Sequence, residues 1–99
     1  MTKLSKKQIE RVIRDRAINT ANVLLTDHVR KRMNERRITL AMVYEVLRKG
    51  NLLREPELSL RLGTLECRIE RYVEGRDIAV IVAFEADAAG LPVVTVMNI

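Results

Sequence analysis

Hydrophobic side chains recur every three or four residues near the start of the chain, which is the spacing of one helix face. The stripe consists of Ile9, Val12, Ile13 and Ala17. Ser5 and Gln8 can cap the free amides of a first helical turn reciprocally, and Leu4 can pack on Ile9 across that cap. The pattern therefore predicts an amphipathic helix from about Ser5 to Ile18.

Two further helices are predicted before the pattern changes. Thr26 or Asp27 can cap a helix that runs to about Arg37. Thr39 can cap the next helix, and Gly50 can end it in the left-handed conformation that glycine adopts easily. The short apolar run between the first two helices is interpreted as an extended lead-in to the second.

Beyond Gly50 the apolar period changes from about 3.6 to about 2, which is typical of β-strands. Strands are predicted at a weaker segment, Leu52–Glu55, and at Leu65–Val73, Ile78–Phe84 and Val93–Met97. The strand at 78–84 is apolar throughout, as expected of a central strand covered on both faces. We therefore predict an α+β fold in which N-terminal helices pack on an antiparallel sheet of three to four strands.

The length of 99 residues fits a single domain. It divides into an N-terminal amphipathic helix (residues 1–21), a helical motif region (22–50) and an antiparallel sheet (51–99). No low-complexity linker or internal repeat indicates a second domain.

Basic residues are concentrated in the first third of the chain. Residues 1–37 contain 11 basic and four acidic residues, whereas residues 38–99 contain seven basic and nine acidic ones. The overall net charge of +5 favours an anionic partner such as nucleic acid. Because the aromatic residues are only two Tyr and one Phe, recognition of single strands by base stacking is not favoured.

The composition also limits cofactors and location. A single cysteine, Cys67, excludes an internal disulfide and a cysteine-rich zinc site, and its apolar strand position predicts a buried, inert thiol. We therefore expect no metal and no other cofactor. No apolar run approaches the roughly 20 residues of a membrane span, and Met1–Lys7 leads into charged sequence. These features predict a cytoplasmic protein that does not enter membranes.

The second predicted helix carries the candidate chemistry. His28, Arg32 and Arg36 follow one another at four-residue intervals, so they fall within about 80° of one helix face, beside the apolar Val29 and Met33. Groups at the edge of a buried face are partly removed from water, and their charges act through a lower effective dielectric. The chain's only histidine and two arginines are therefore the leading site residues.

This stretch resembles a known family. The pattern H-x-x-x-R-M-x-x-R at His28–Arg36, followed by Ile38-Thr39, a helix closing at Gly50 and a final strand at Val93–Val96, looks like an uncharacterised family of small microbial domains. The resemblance covers about Leu24 to Met97. That family is similar in layout to the RelE-like toxins, including the MqsR type, which are metal-independent ribonucleases. The resemblance implies an RNA-cleaving toxin with an antitoxin protein as its partner.

Metal-free RNA cleavage requires proton transfers at two oxygens and cations near the phosphorus. His28 suits one proton transfer, because an unperturbed imidazole titrates near neutral pH. Arg32 and Arg36 suit the phosphate through charge-assisted hydrogen bonds. Further candidates for substrate binding are Lys31, Arg68 and Tyr72. The best carboxylate for the second proton transfer is Glu35, and Glu66 and Glu70 are weaker candidates.

Other readings of these residues stay open. His28 can simply contact solvent or a backbone group, and Arg32 and Arg36 can lay their stems over the apolar seam or pair with carboxylates. The basic side chains of the first helix are interpreted as a solvated face; they are Lys6, Lys7, Arg11 and Arg14.

Two other functions are consistent with the sequence. One is a nucleic-acid-binding module without catalysis, whose affinity falls steeply with salt. The other is a protein-interaction or inhibitor module, including a homodimer formed through the apolar stripe of the first helix, if the small domain does not cover that stripe itself.

Overall fold

Three α-helices cover one face of a six-stranded sheet in the computed structural model, which describes residues 4–59 and 63–99. The helices are α1 (Lys6–Ile18), α2 (Asp27–Arg36) and α3 (Leu40–Lys49), with a short 3-10 helix at Thr20–Asn22. The strands are β1 (Val23–Leu24), β2 (Asn51–Leu52), β3 (Glu57–Ser59), β4 (Thr64–Val73), β5 (Arg76–Phe84) and β6 (Leu91–Asn98). The predicted α+β class is confirmed. Parts of the predicted segments 1–21 and 51–99, namely residues 1–3 and 60–62, lie outside the described residues.

The sheet has more strands than predicted, and it is mixed rather than purely antiparallel. Its strands lie in the order β1, β6, β5, β4, β2 within the described chain, and β3 also pairs with β4. β1 is parallel to β6, and the other pairs are antiparallel. The prediction of three to four strands is wrong because β1, β2 and β3 have only two or three residues each, which is too short for alternation to be visible.

A long hairpin of β4 and β5 forms the centre of the sheet. Leu65 lies opposite Phe84 at one end, and Val73 lies opposite Arg76 at the other. The two turn residues, Glu74 and Gly75, have φ angles of 48° and 83°. Positive φ at both positions is the geometry of tight hairpin turns whose twist matches that of the strands. The turn fixes Arg76 at the start of β5.

The apolar stripe of α1 is buried inside the molecule. Ile9 is 3% exposed, and Ile13 and Ala17 are fully buried in the same cluster as Val46 of α3 and Val80 of β5. α3 and the sheet therefore already cover Ile9, Ile13 and Ala17 of this stripe, whereas Val12 is half-buried. No helix in residues 4–59 or 63–99 is long and apolar enough to span a bilayer.

Polar side chains also tie α1 to the rest of the fold. The buried carboxylate of Glu10 accepts a hydrogen bond from the Leu52 amide at 2.8 Å, and it lies 3.3 Å from the guanidinium of Arg14. Arg14 donates to the Gly50 carbonyl oxygen at 2.9 Å, and Lys6 donates to that of Leu53 at 3.0 Å. The predicted solvated face of α1 is therefore wrong for these two cations; Lys7 and Arg11 are exposed.

We expect the packing of α1 to be visible in a pair of matched substitutions. Ile13→Ala should lower the free energy of unfolding by about 2 to 5 kcal/mol, because it removes a fully buried side chain. Ile18→Ala makes the same chemical change at a 70% exposed position and should cost no more than about 0.5 kcal/mol. Urea unfolding measures both values. Equal losses for the two variants would contradict the packing of α1 on the sheet.

The buried thiol of Cys67 predicts a loss of stability in alkali. Burial raises the pKa of Cys67 from 9.0 to about 12, since the core cannot solvate a thiolate. As the pH rises, the thiol of the unfolded chain ionises before that of the folded chain. The contribution of the buried, protonated thiol to the free energy of unfolding is therefore complete below pH 9. It is lost as the pH rises towards 12, by up to about 1.4 kcal/mol per pH unit. Unfolding measured from pH 8 upward should show the wild type losing stability relative to Cys67→Ala, and parallel curves would be inconsistent with a buried thiol.

Candidate functional site

α2 is held by a capped start and a buried face. The Thr26 hydroxyl accepts a hydrogen bond from the Val29 amide at 3.1 Å, which satisfies one of the free donors of the first turn. Val29 and Met33 are buried in the core. The helix ends at Arg37, which has a left-handed φ of 54°. These features leave the remaining sides of α2 facing outward.

A second set of contacts fixes the C-terminal end of α2 on the sheet. The guanidinium of Arg76 donates to the backbone carbonyl oxygens of Arg36 and Arg37 and to the side chain of Asn98. In return, the Arg36 guanidinium donates to the carbonyl oxygen of Val96 in β6. Last-turn carbonyls have no partner within the helix, so these bonds satisfy groups that would otherwise be unpaired. We call this set the arginine clamp.

The sequence pattern did not identify Arg76 as a site residue, because it indicates only that Arg76 belongs to a hairpin turn. One available signal is a cation at a strand start directly after a two-residue turn, but it does not reveal which helix end lies nearby. The clamp also shows what Arg36 does in the described structure. Its guanidinium is used to join α2 to β6.

His28 lies exposed at the N-terminal end of α2. On a helix, the residues three and four positions further on are its neighbours, and these are Lys31 and Arg32. The Arg32 guanidinium lies 3.2 Å from the carboxylate of Glu35, which leaves that carboxylate in an ion pair. We call the surface of His28, Lys31 and Arg32 the histidine face.

The other predicted site residues lie elsewhere. Arg36 is eight residues beyond His28, about 12 Å along the helix axis. Along β4, Arg68 and Tyr72 alternate with the buried Cys67 and Ile69. They therefore lie on the sheet face away from the helices. The structure thus brings Lys31 and Arg32 to His28 but separates Arg36, Arg68 and Tyr72 from it.

The carboxylates proposed for the second proton transfer are also separated from His28. Glu35 is seven residues further along α2, about 10 Å along its axis, and it pairs with Arg32. Glu66 and Glu70 belong to the far face of the sheet, where the Glu70 carboxylate lies 3.5 Å from the guanidinium of Arg68. The described surface around His28 therefore offers one imidazole and two cations, with the exposed carboxylate of Asp27 beside them in the first turn.

A concave surface with several cations lies along another side of α2. This cleft has a volume of about 640 Å³. It is lined by Arg30, Lys31, Met33, Asn34, Arg37, Ile38 and Thr39. None of these is acidic, and Lys31 belongs both to this cleft and to the histidine face. We call it the basic cleft.

The basic cleft is distinguished by cations that are not used to hold the fold together. Six arginines of the described chain donate to backbone carbonyl oxygens, namely Arg14, Arg16, Arg36, Arg48, Arg71 and Arg76. By contrast, Arg30, Lys31 and Arg37 have no ion-pair partner among residues 4–59 and 63–99. Their charges are therefore available to an anion from solution.

Residues 4–59 and 63–99 contain no group of three or more His, Cys, Asp or Glu side chains placed to hold a metal ion.

Comparison with known proteins identifies a family. Residues 25–98 match the family described as Domain of unknown function (DUF4258). The matched range begins just before α2 and ends in β6, so α1 lies outside it. No curated protein and no solved structure matches the chain. The predicted family of uncharacterised domains is thus confirmed in extent, whereas the relationship to RelE-like toxins stays a prediction.

The arginine clamp predicts a stability effect that exposed arginines lack. Arg76→Ala should lower the free energy of unfolding by roughly 1.5 to 3 kcal/mol, the range for a hydrogen bond to a charged group, because it leaves helix-end carbonyls unpaired. Arg11→Ala, at an exposed position of α1, should change it by no more than about 0.5 kcal/mol. If urea unfolding gave the same small loss for both, the clamp would have no role in holding α2.

Proposed function

The chain belongs to the DUF4258 family, whose function is unknown, and we propose that it is a toxin-like, metal-independent endoribonuclease that cleaves RNA at the α2 surface. One observation carries this proposal: an exposed His28 stands one helical turn from Lys31 and Arg32, next to a cleft without acidic residues. An imidazole beside two cations is a suitable arrangement for proton transfer at a phosphodiester.

In the proposed reaction, the 2′-oxygen of a ribose attacks the adjacent phosphorus, and the bond from phosphorus to the 5′-oxygen breaks. The departing 5′-oxygen is a strongly basic alkoxide, so it needs a proton, and the imidazolium of His28 supplies it. The proton of the 2′-hydroxyl passes to water. The products are a 2′,3′-cyclic phosphate and a 5′-hydroxyl, which balances the atoms without a metal ion.

The two cations next to His28 act on the charge that builds on the phosphorane oxygens. Arg32 offers planar, charge-assisted hydrogen bonds, and its ion pair with Glu35 at 3.2 Å restrains its direction. Lys31 adds a point charge on the side of the basic cleft. In this account Glu35 positions Arg32, and the clamped Arg36 holds the helix in place.

The α2 motif resembles that of a family of small domains whose layout is similar to that of the RelE-like toxins, and this resemblance supports the same proposal. Helices followed by a sheet are the shared feature, although the sheet of this chain is mixed. A toxin of this kind acts on cytoplasmic RNA and is neutralised by an antitoxin protein. We therefore expect a neighbouring gene whose product protects cells from this protein.

A second candidate function is RNA binding without cleavage. It is favoured by the three available cations of the basic cleft and by the distance of about 10 Å along the helix between His28 and Glu35. Neutralising about three phosphates of a single strand gives a slope near −2 when the logarithm of the association constant is plotted against that of salt concentration. A salt-sensitive complex with intact RNA is the result that would select this function.

A cleavage assay in EDTA separates the two functions. Labelled RNA incubated with pure protein should be cut, and His28→Ala should lower the rate by about 100-fold to 10,000-fold, because the leaving oxygen loses its proton donor. Arg32→Ala should also reduce the rate strongly. Arg11→Ala removes a cation far from α2 and serves as the matched control.

The thermal midpoint of each variant decides how a loss of activity is interpreted. His28 is exposed and donates no hydrogen bond in the described structure, so its replacement should leave the midpoint unchanged. Loss of folding together with activity, or cleavage by His28→Ala at the wild-type rate, would remove His28 from the proposed reaction.

A further inference from the structure

The basic cleft borders the histidine face, and the two surfaces share Lys31. We propose that it holds a second phosphate of the same RNA strand, displaced from the scissile bond, and that cleavage therefore depends on an RNA longer than a dinucleotide. This inference rests on the proposed ribonuclease function, and it assigns the basic cleft a role that the histidine face does not need.

The charges of the cleft fit an anionic group such as a phosphate better than a cationic or apolar ligand. Arg30, Lys31 and Arg37 provide three cations around about 640 Å³, and no acidic side chain lines the cleft. Guanidinium groups match phosphate oxygens with planar, paired hydrogen bonds. Three exposed cations around one cleft create a positive potential that attracts an anion from solution.

The floor and the rim of the cleft strengthen this preference. Met33 and Ile38 are almost fully buried and form an apolar floor, which keeps water from screening one side of a bound anion. Asn34 and Thr39 add neutral polar groups at the rim. Because Thr39 caps α3, the positive end of that helix dipole also lies at this rim.

The distance between the two sites sets the spacing of the two phosphates. Arg37 lies nine residues beyond His28, about 13 Å along the helix direction, and Lys31 lies between them. A stacked strand advances about 3.4 Å per nucleotide, so 13 Å corresponds to roughly four stacked nucleotides or fewer extended ones. The phosphate in the cleft is therefore expected two to four nucleotides from the scissile bond.

Arg37 offers a substitution that removes the cation without weakening the fold. Its φ of 54° is a conformation that glycine adopts without steric cost, so Arg37→Gly should not lower the thermal midpoint. The carbonyl oxygen of residue 37 remains available to Arg76. Arg37→Lys keeps a positive charge at the same place and is the conservative control.

The test uses a chimeric oligonucleotide in which a single ribonucleotide fixes the scissile bond. Each other phosphate in turn is replaced by an uncharged methylphosphonate, and KM is measured in EDTA. We expect one replacement, two to four nucleotides from the cut, to raise KM about tenfold with the wild type and with Arg37→Lys, but not with Arg37→Gly. An equal effect of all replacements, or an unchanged pattern with Arg37→Gly, overturns the subsite.

A binding measurement separates failure of the subsite from failure of the proposed function. If the parent oligonucleotide is not cut, the ribonuclease proposal fails, and the subsite is tested by NMR titration with a 2′-O-methyl version of it. Shifts of the Asn34, Arg37 and Thr39 amides, lost in Arg37→Gly at an unchanged midpoint, support the phosphate site. Shifts confined to other surfaces overturn it.

Discussion

Hydrogen bonds from arginine side chains to helix-end carbonyls determine where α2 lies, and the candidate site depends on that position. The clearest case is Arg76, whose guanidinium reaches the carbonyl oxygens of Arg36 and Arg37 from the start of β5. Arg36 completes the arginine clamp by donating to Val96. The clamp adds to the buried contacts of Val29 and Met33 and to the N-cap, and it supports the left-handed turn at Arg37 from outside the helix.

The clamp also explains why net charge alone does not reveal the functional surface. Many of the arginines in the basic first third, and several from the sheet, are used within the fold, either on carbonyl oxygens or on carboxylates. What matters for an anionic partner is the set of cations left over, and on α2 that set is Arg30, Lys31 and Arg37. The histidine face borders this set through Lys31, so anion binding and proton transfer can act on one strand.

Local sequence signals predicted the features of the fold that depend on neighbouring residues. The caps at Ser5, Thr26 and Thr39, the buried parity of Cys67 and the hairpin of β4 and β5 are all present. Two or three residues carry no period, so β1 was indicated only as an extended segment and β2 only by the weaker strand at Leu52–Glu55, which it overlaps at Leu52. β3 was not predicted. Contacts between distant segments could not be predicted from local patterns either, since pairs such as Glu10 with Leu52 depend on tertiary packing.

The same distinction applies to the candidate site. Helical spacing places Arg32 one turn beyond His28, and both residues lie in α2, so this neighbourhood is set by the helix itself. It could not show that Arg36 is bonded to β6, or that Arg68 and Tyr72 lie on the opposite face of the sheet.

Mass spectrometry of RNA ends after incubation in EDTA tests the account most directly. The wild-type protein should produce RNA ends with 2′,3′-cyclic phosphates, and His28→Ala should leave the RNA intact. Ends with 3′-hydroxyls, or cyclic phosphates from both proteins, would contradict the account.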